Sequence, residues 1–393
     1  MKSYELPEIS LKLIEKDLLY EKIQDGRIVY LRGKTKDVVI GEECLVKVNT
    51  SIGITRPSDY ESEISKINSI VAQNSRPDIM MDLSICSNKL PIYEILVELH
   101  GGPVGTLPHY LLSNKIGLMT IDDILQSMEK QANAGVSFFT IHPTPNIQLL
   151  TLAEKLRKIP VTSRGASIMI RDMLNKKEND NLYSYYFNEV VRFCVDKKIP
   201  LSIGTAFRPP SVFNCLDSVH RAELQLQKQY IERARALGAS VFFEAVGHAS
   251  LDILQKLSKI IGSIKAPMMA LGPIVSDSAI GLDHIANAIG GAFLAVHRGV
   301  HVLNSITREE HTGGIPTQDS IIEGLKSALL AAHCANIAIF PKYKKLEEGI
   351  TQRRSDIRSC VINGGLFKVG KTKSYGCERC GDVCPILLNK VTE

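Results

Sequence analysis

Short runs of apolar, β-branched residues recur along this chain, each followed by turn residues and then a longer stretch with helical spacing. That alternation restricts the fold more than any other feature. Eight runs stand out: Leu45–Val48, Ile79–Leu83, Pro103–Thr106, Phe138–Ile141, Pro160–Thr162, Leu201–Ile203, Val241–Phe243 and Met268–Leu271. Helical spacing fills most of the intervals, as in Tyr60–Gln73, Ile121–Ala134, Leu182–Asp196, Ser218–Ala236 and Ser250–Ile261. Strands alternating with helices build right-handed β-α-β units on a parallel sheet, and eight such units can close into a (β/α)8 TIM-type barrel. An open doubly wound sheet is the alternative, but no G-x-G-x-x-G or G-x-x-x-x-G-K-[ST] fingerprint follows the first strand. The expected α/β barrel covers residues 41–345. Within it, helices over Asp283–His297 and Asp319–Ile339 follow the eighth run. Residues 1–40 form an N-terminal segment. Residues 346–393 combine a linker, part of the charged stretch Lys342–Arg358, with a cysteine-bearing tail.

Hydrophobic residues make up 44% and charged residues 23%, a balance that suits a globular protein and excludes disordered and membrane classes. Met1–Leu18 mixes charges with apolar residues and lacks the apolar core of a secretory signal, so a cytoplasmic address is expected. The net charge of +5 is spread without a basic block, which argues against a nucleic-acid surface and leaves small anionic substrates compatible.

Nine cysteines are too few for a disulfide scaffold in a chain this long. Cys44, Cys86, Cys194, Cys215, Cys334 and Cys360 are dispersed, and most read as small core hydrophobes. Cys377, Cys380 and Cys384 are not dispersed. Their C-x2-C-x3-C-P spacing equals the last three cysteines of the bacterial ferredoxin run, so three thiolates can converge on one soft metal centre. A four-iron four-sulfur cluster held by three cysteines leaves one iron open to the amino and carboxylate groups of S-adenosylmethionine. A zinc site completed by Cys360 or a histidine is the alternative that spacing leaves open.

From about Asp17 to Cys384 the chain resembles the ThiC family, the phosphomethylpyrimidine synthases and their anaerobic 5-hydroxybenzimidazole synthase relatives. The resemblance is carried by Met81 before Asp-Leu-Ser, Tyr110 of Gly-Thr-x-Pro-x-Tyr, His142 of Thr-Ile-His, Ser163-Arg164-Gly165, Arg208, Glu244 of Glu-x-x-Gly-His, and the cysteine tail. It implies a barrel that takes 5-aminoimidazole ribonucleotide, contacted by Met81, Tyr110, His142, Ser163, Arg164, Gly165, Arg208 and Glu244. It further implies a divalent ion, zinc or another, on His248 and His311, and S-adenosylmethionine as radical source. An external electron donor and a homodimer whose tail reaches the partner's barrel complete the expectation, with a paralogous subunit as a variant. Three positions depart from the family. Ser51 stands in place of a substrate asparagine, Thr205 in place of the aspartate of Asp-Gly-Leu-Arg, and Met269 in place of a tyrosine, while the cysteine spacing is one residue shorter.

The residue types agree with that chemistry. Arg164 and Arg208 each offer a planar fork to phosphate oxygens, and Ser163 with the Gly165 N–H adds neutral donors. His142 can bond a ribose hydroxyl or move a proton near neutrality. Glu244 and His248, four apart, would meet if the loop between them turned helically. No residue is assigned the chemical step itself. The three departures remove polar groups that fix substrate orientation, which points to 5-hydroxybenzimidazole synthesis for the cobamide lower ligand over the pyrimidine phosphate of thiamine biosynthesis. A non-catalytic barrel with a structural zinc tail is the reading from another class.

Overall fold

The computed structural model describes residues 21–87, 89–357, 360, 380 and 383–386. An antiparallel hairpin comes first, β1 (Ile28–Leu31) with β2 (Val38–Gly41). Eight parallel strands then close a barrel: β3 (Lys47–Ile52), β4 (Ile79–Asp82), β5 (Val104–Thr106), β6 (Phe138–Ile141), β7 (Leu201–Ile203), β8 (Val241–His248), β9 (Met268–Ile274) and β10 (Val302–Asn304). β10 completes the ring by pairing with β3 on one side and β9 on the other. The helices are α1 (Tyr60–Val71), α2 (Ile92–His100), α3 (Ile121–Asn133), α4 (Ile147–Leu156), α5 (Arg164–Asn175), α6 (Leu182–Tyr185), α7 (Phe187–Lys197), α8 (Ser218–Ala236), α9 (Leu251–Gly262), α10 (Asp283–Val296), α11 (Gln318–Ile339) and α12 (Pro341–Asp356).

The expected fold is the one observed, but two of its strands differ. Pro160–Thr162 is irregular and feeds α5, because Pro160 carries no N–H for a ladder and Ser163 instead caps the helix, accepting from Ala166 N–H at 3.2 Å. The eighth strand is β10, three residues long, which falls between the two helices expected to follow one another directly. The charged stretch after Phe340 forms α12, and the 28–41 hairpin lies in the segment expected to precede the barrel.

Helix starts follow their caps. Thr120 and Asp123 form a capping box on α3, and Asp217 accepts from His220 N–H at the start of α8. Apolar strand residues fill the centre, where Phe138 and Phe242 meet edge to face at 5.2 Å.

Beneath the mouth, α8 sends two fully buried polar side chains to the ends of β7 and β8. Glu223 accepts four hydrogen bonds: from the hydroxyls of Thr144 (2.8 Å) and Thr205 (2.7 Å), and from the N–H groups of Ala206 (2.6 Å) and Phe207 (2.8 Å). One turn on, Gln227 donates to the carbonyls of Gly204 at 3.1 Å and Glu244 at 2.8 Å. Arg157, its side chain fully buried, donates to the Phe207 carbonyl at 2.6 Å while its fork grips Asp217 at 2.7 and 2.8 Å. The segment that ends at Arg208 is therefore clamped on both its N–H and its carbonyl side. Removing the Glu223 acceptor strands several buried donors, each at about 1–3 kcal/mol. Glu223→Ala should lower the thermal midpoint by several degrees or prevent accumulation, and Glu223→Gln, which keeps one acceptor oxygen, should lose less. Melts followed by circular dichroism check this, and an unchanged Glu223→Ala midpoint contradicts it.

Candidate active site at the barrel mouth

His142, one residue past β6, is buried, and its Nε2 lies 3.0 Å from the Ser163 hydroxyl. Two glycines grip the ring. A Cβ on Gly165 would come within 2.7 Å of His142 Cε1 and 3.0 Å of Tyr110 Cε1, and one on Gly204 would lie 2.8 Å from His142 Nε2. Burial pushes His142 well below the usual histidine range, so the ring is neutral. Its Nδ1 is buried and has no partner among the described residues.

The Arg164 guanidinium lies 5.1 Å over the Tyr110 ring and donates to the Leu83 carbonyl at 2.9 Å. Arg208 donates to the Thr162 carbonyl at 3.3 Å, and the Thr162 hydroxyl returns a bond to the Arg208 carbonyl at 3.2 Å. The Arg208 charge favours the neutral form of His142 and the ionised forms of Tyr110 and Glu244. Met81 is buried on β4, in register with Ser51 of β3 and Gly105 of β5.

Glu244 lies within β8, buried, with one oxygen 3.2 Å from the Thr140 hydroxyl. Burial raises its carboxyl to about 7, against the opposing pull of Arg208. A carboxyl that titrates at neutrality inside a closed site can hold or release a proton during a reaction. Glu244 and His248 do not meet. Glu244 bonds Thr140, whereas His248, beyond the irregular end of β8, bonds Asp277.

His248 instead faces His311, their ring centroids 4.9 Å apart. His248 Nδ1 bonds Asp277 at 2.7 Å, and His311 Nδ1 bonds Asp283 at 2.5 Å. A carboxylate on Nδ1 turns each ring so that Nε2 carries a lone pair outward, the arrangement that orients metal-binding histidines. No hydrogen bond reaches either Nε2 among the described residues, and no third His, Cys, Asp or Glu joins them there. The pair therefore fits a divalent ion with positions left for water or substrate. Asp277 and Asp283 escaped the sequence reading, since a lone acidic residue in a loop or at a helix start carries no pattern. So did His109, which is fully buried, stands 5.6 Å from His142 and bonds the Tyr183 hydroxyl at 3.1 Å.

The three departures are all poor in free polar groups. The Thr205 hydroxyl is turned to Glu223, Met269 is fully buried, and the half-buried Ser51 hydroxyl accepts from the Asn49 amide at 3.3 Å. Ser163, Arg164 and Gly165 follow irregular chain rather than a strand, yet Ser163 and Gly165 still reach His142. Cys380 and Cys384 are half-buried free thiols, and Cys377 lies outside the described residues.

The profile of the radical SAM ThiC family matches residues 6–390. A phosphomethylpyrimidine synthase of Ignicoccus hospitalis is 32% identical, over 95% of this chain and 91% of its own length. One from Pyrococcus abyssi is 30% identical over 95% and 92%. The 5-hydroxybenzimidazole synthase BzaA of Eubacterium limosum is 31% identical over 83% and 78%.

The raised Glu244 carboxyl sets a pH dependence. An unfolded glutamate ionises near 4.5, whereas the folded one stays protonated to about 7, so wild-type stability falls as pH rises through that window and then levels. Glu244→Gln removes the penalty. The variant's melting temperature relative to wild type should be more favourable at pH 8.5 than at pH 5, and a pH-independent difference would show that Glu244 is not protonated in the fold.

Proposed function

The chain belongs to the radical SAM ThiC family, and from that premise we propose that it converts 5-aminoimidazole ribonucleotide to 5-hydroxybenzimidazole. Family membership makes it a radical SAM enzyme that works with S-adenosylmethionine and an iron–sulfur cluster. The product assignment rests on one observation above others: at Thr205, just past β7, and at Met269, in register with Glu244, where a thiamine-type site would present a carboxylate and a phenol, the chain has a committed hydroxyl and a buried thioether. The 31% identity to an enzyme named for that product agrees with it.

Cys377, Cys380 and Cys384 would hold the cluster, because three thiols are the donor set that soft iron takes and that leaves one iron open. With S-adenosylmethionine bound, the cluster supplies the radical that starts the rearrangement. The rest is the work of the barrel. Arg208 and Arg164 take the phosphate, each with donors to spare beyond its carbonyl bond. His142 contacts the ribose, and Ser163 fixes its ring. Glu244, poised near neutrality, holds a proton within reach of the imidazole and can give it up as the ring system is rebuilt. His248 and His311 hold a divalent ion, zinc or a relative of it, at the rim. Tyr110 and Met81 form the apolar wall that keeps water from the radical. The tail closes over the barrel of a second copy in a homodimer, and an external donor supplies the electron. Among the described residues no helix is long and apolar enough to cross a membrane.

The phosphomethylpyrimidine synthases at 30–32% identity make the pyrimidine phosphate the second reading. Purified chain given 5-aminoimidazole ribonucleotide, S-adenosylmethionine and a strong reductant without oxygen should release 5-hydroxybenzimidazole, measured by mass spectrometry, alone or with a paralogous partner. Hydroxymethylpyrimidine phosphate as the main product, or rescue of a thiamine-requiring strain, overturns the assignment.

A further inference from the structure

Three backbone segments meet beside His248. The first carries Arg208, and its next residue, Pro209, accepts from the His248 N–H at 2.9 Å. The second is the end of β8, which leaves regular pairing at a bulge between Val246 and His248, with Val246 at φ 104° and Gly247 at φ 96°. A β-branched residue at positive φ stores about 1–3 kcal/mol and persists only where its surroundings over-determine it. Here they do. A Cβ on Gly247 would lie 2.6 Å from the Pro209 oxygen and 3.1 Å from Arg208 Cβ, so the strained turn is pressed against the segment that carries Arg208.

The third segment brings Asp277. One of its carboxylate oxygens accepts from His248 Nδ1 at 2.7 Å, the other accepts from the Ser211 hydroxyl at 2.7 Å, and the Val212 N–H lies 3.2 Å from both. Asp283 orients His311 in the same way, but its other bond is to the Gly281 N–H of its own loop. The two carboxylates thus differ in one respect. Only Asp277 ties its histidine to the segment that starts at Arg208.

Building on the reading of the site above, we infer that Asp277 is a positioning residue that couples a divalent cation on His248 and His311 to an anionic ligand on Arg208. A cation on Nε2 draws density from the imidazole and strengthens its Nδ1–H bond to Asp277, which fixes the carboxylate that holds Ser211 and Val212. An anion that pulls on Arg208 acts back along the same bonds, and linkage makes the two effects equal in size. Asp283 supports the cation without reaching the anion.

The test uses the full chain with its cluster reconstituted. Mn2+ binding is read from the electron paramagnetic resonance of the free ion, with and without saturating 5-aminoimidazole ribonucleotide, so no turnover is needed. In the wild type the ribonucleotide should tighten Mn2+ about fivefold or more. D277N and D283N should each weaken Mn2+ alone by about tenfold or more. In D283N the tightening by ribonucleotide persists. In D277N, where one amide oxygen must serve three donors, it should fall below about twofold. Tightening preserved in D277N, lost equally in D283N, or missing from a wild type that binds Mn2+ overturns the inference and leaves the metal reading standing. A wild type that binds no Mn2+ overturns that reading and the inference with it.

Discussion

Val302 and Leu303 pair in parallel register with Lys47 and Val48 on one side and with Met269 and Ala270 on the other, and this double pairing turns an open sheet into a ring. In a closed ring of parallel strands every C-terminal end lies at the same rim, so the chain that follows each strand is brought toward one shared space. That is how Arg208 after β7, His142 after β6 and Glu244 within β8 come to share one electrostatic neighbourhood, although they are far apart in sequence. It is also how His311, which follows β10, comes to face His248 at the end of β8.

Closure alone does not fix side chains at a mouth. The site is held from below by buried polar groups: Glu223 and Arg157 clamp the approach to Arg208, Gln227 secures the Glu244 carbonyl, and Ser163 and two glycines hold His142. Each satisfies a group that would otherwise be stranded, which keeps the loops rigid without filling the space above them. The His142 ring is held at Nε2 by Ser163, while its Nδ1 stays buried without a partner among the described residues.

The alternation of apolar runs and helical stretches made the barrel legible, because period-2 and period-3.6 patterns are local. Pro160–Thr162 misled because its apolar and β-branched residues imitate a strand while Pro160 lacks the donor a ladder needs. β10 was missed for the opposite reason: with only Val302 and Leu303 as apolar residues it has no local signal, and it is a strand because of partners distant in sequence on both sides. At the site, Glu244 and His248 invited a local pairing, but their real partners, Thr140 and Asp277, are long-range. The resemblance located His248 and His311, but nothing in the sequence marks Asp277, Asp283 or Glu223, whose roles exist only once the loops are assembled.

In the proposed function the barrel binds the ribonucleotide and the cysteine tail supplies the radical chemistry. Replacing Cys380 with Ala separates the two, since it removes one thiol and alters none of the barrel residues proposed to hold the ribonucleotide. After anaerobic reconstitution the variant should hold far less than the ~4 irons of the wild type and should not cleave S-adenosylmethionine, yet calorimetry should show 5-aminoimidazole ribonucleotide binding as in the wild type. A variant that keeps its iron and still cleaves, or one that loses the ribonucleotide along with the iron, would contradict that division.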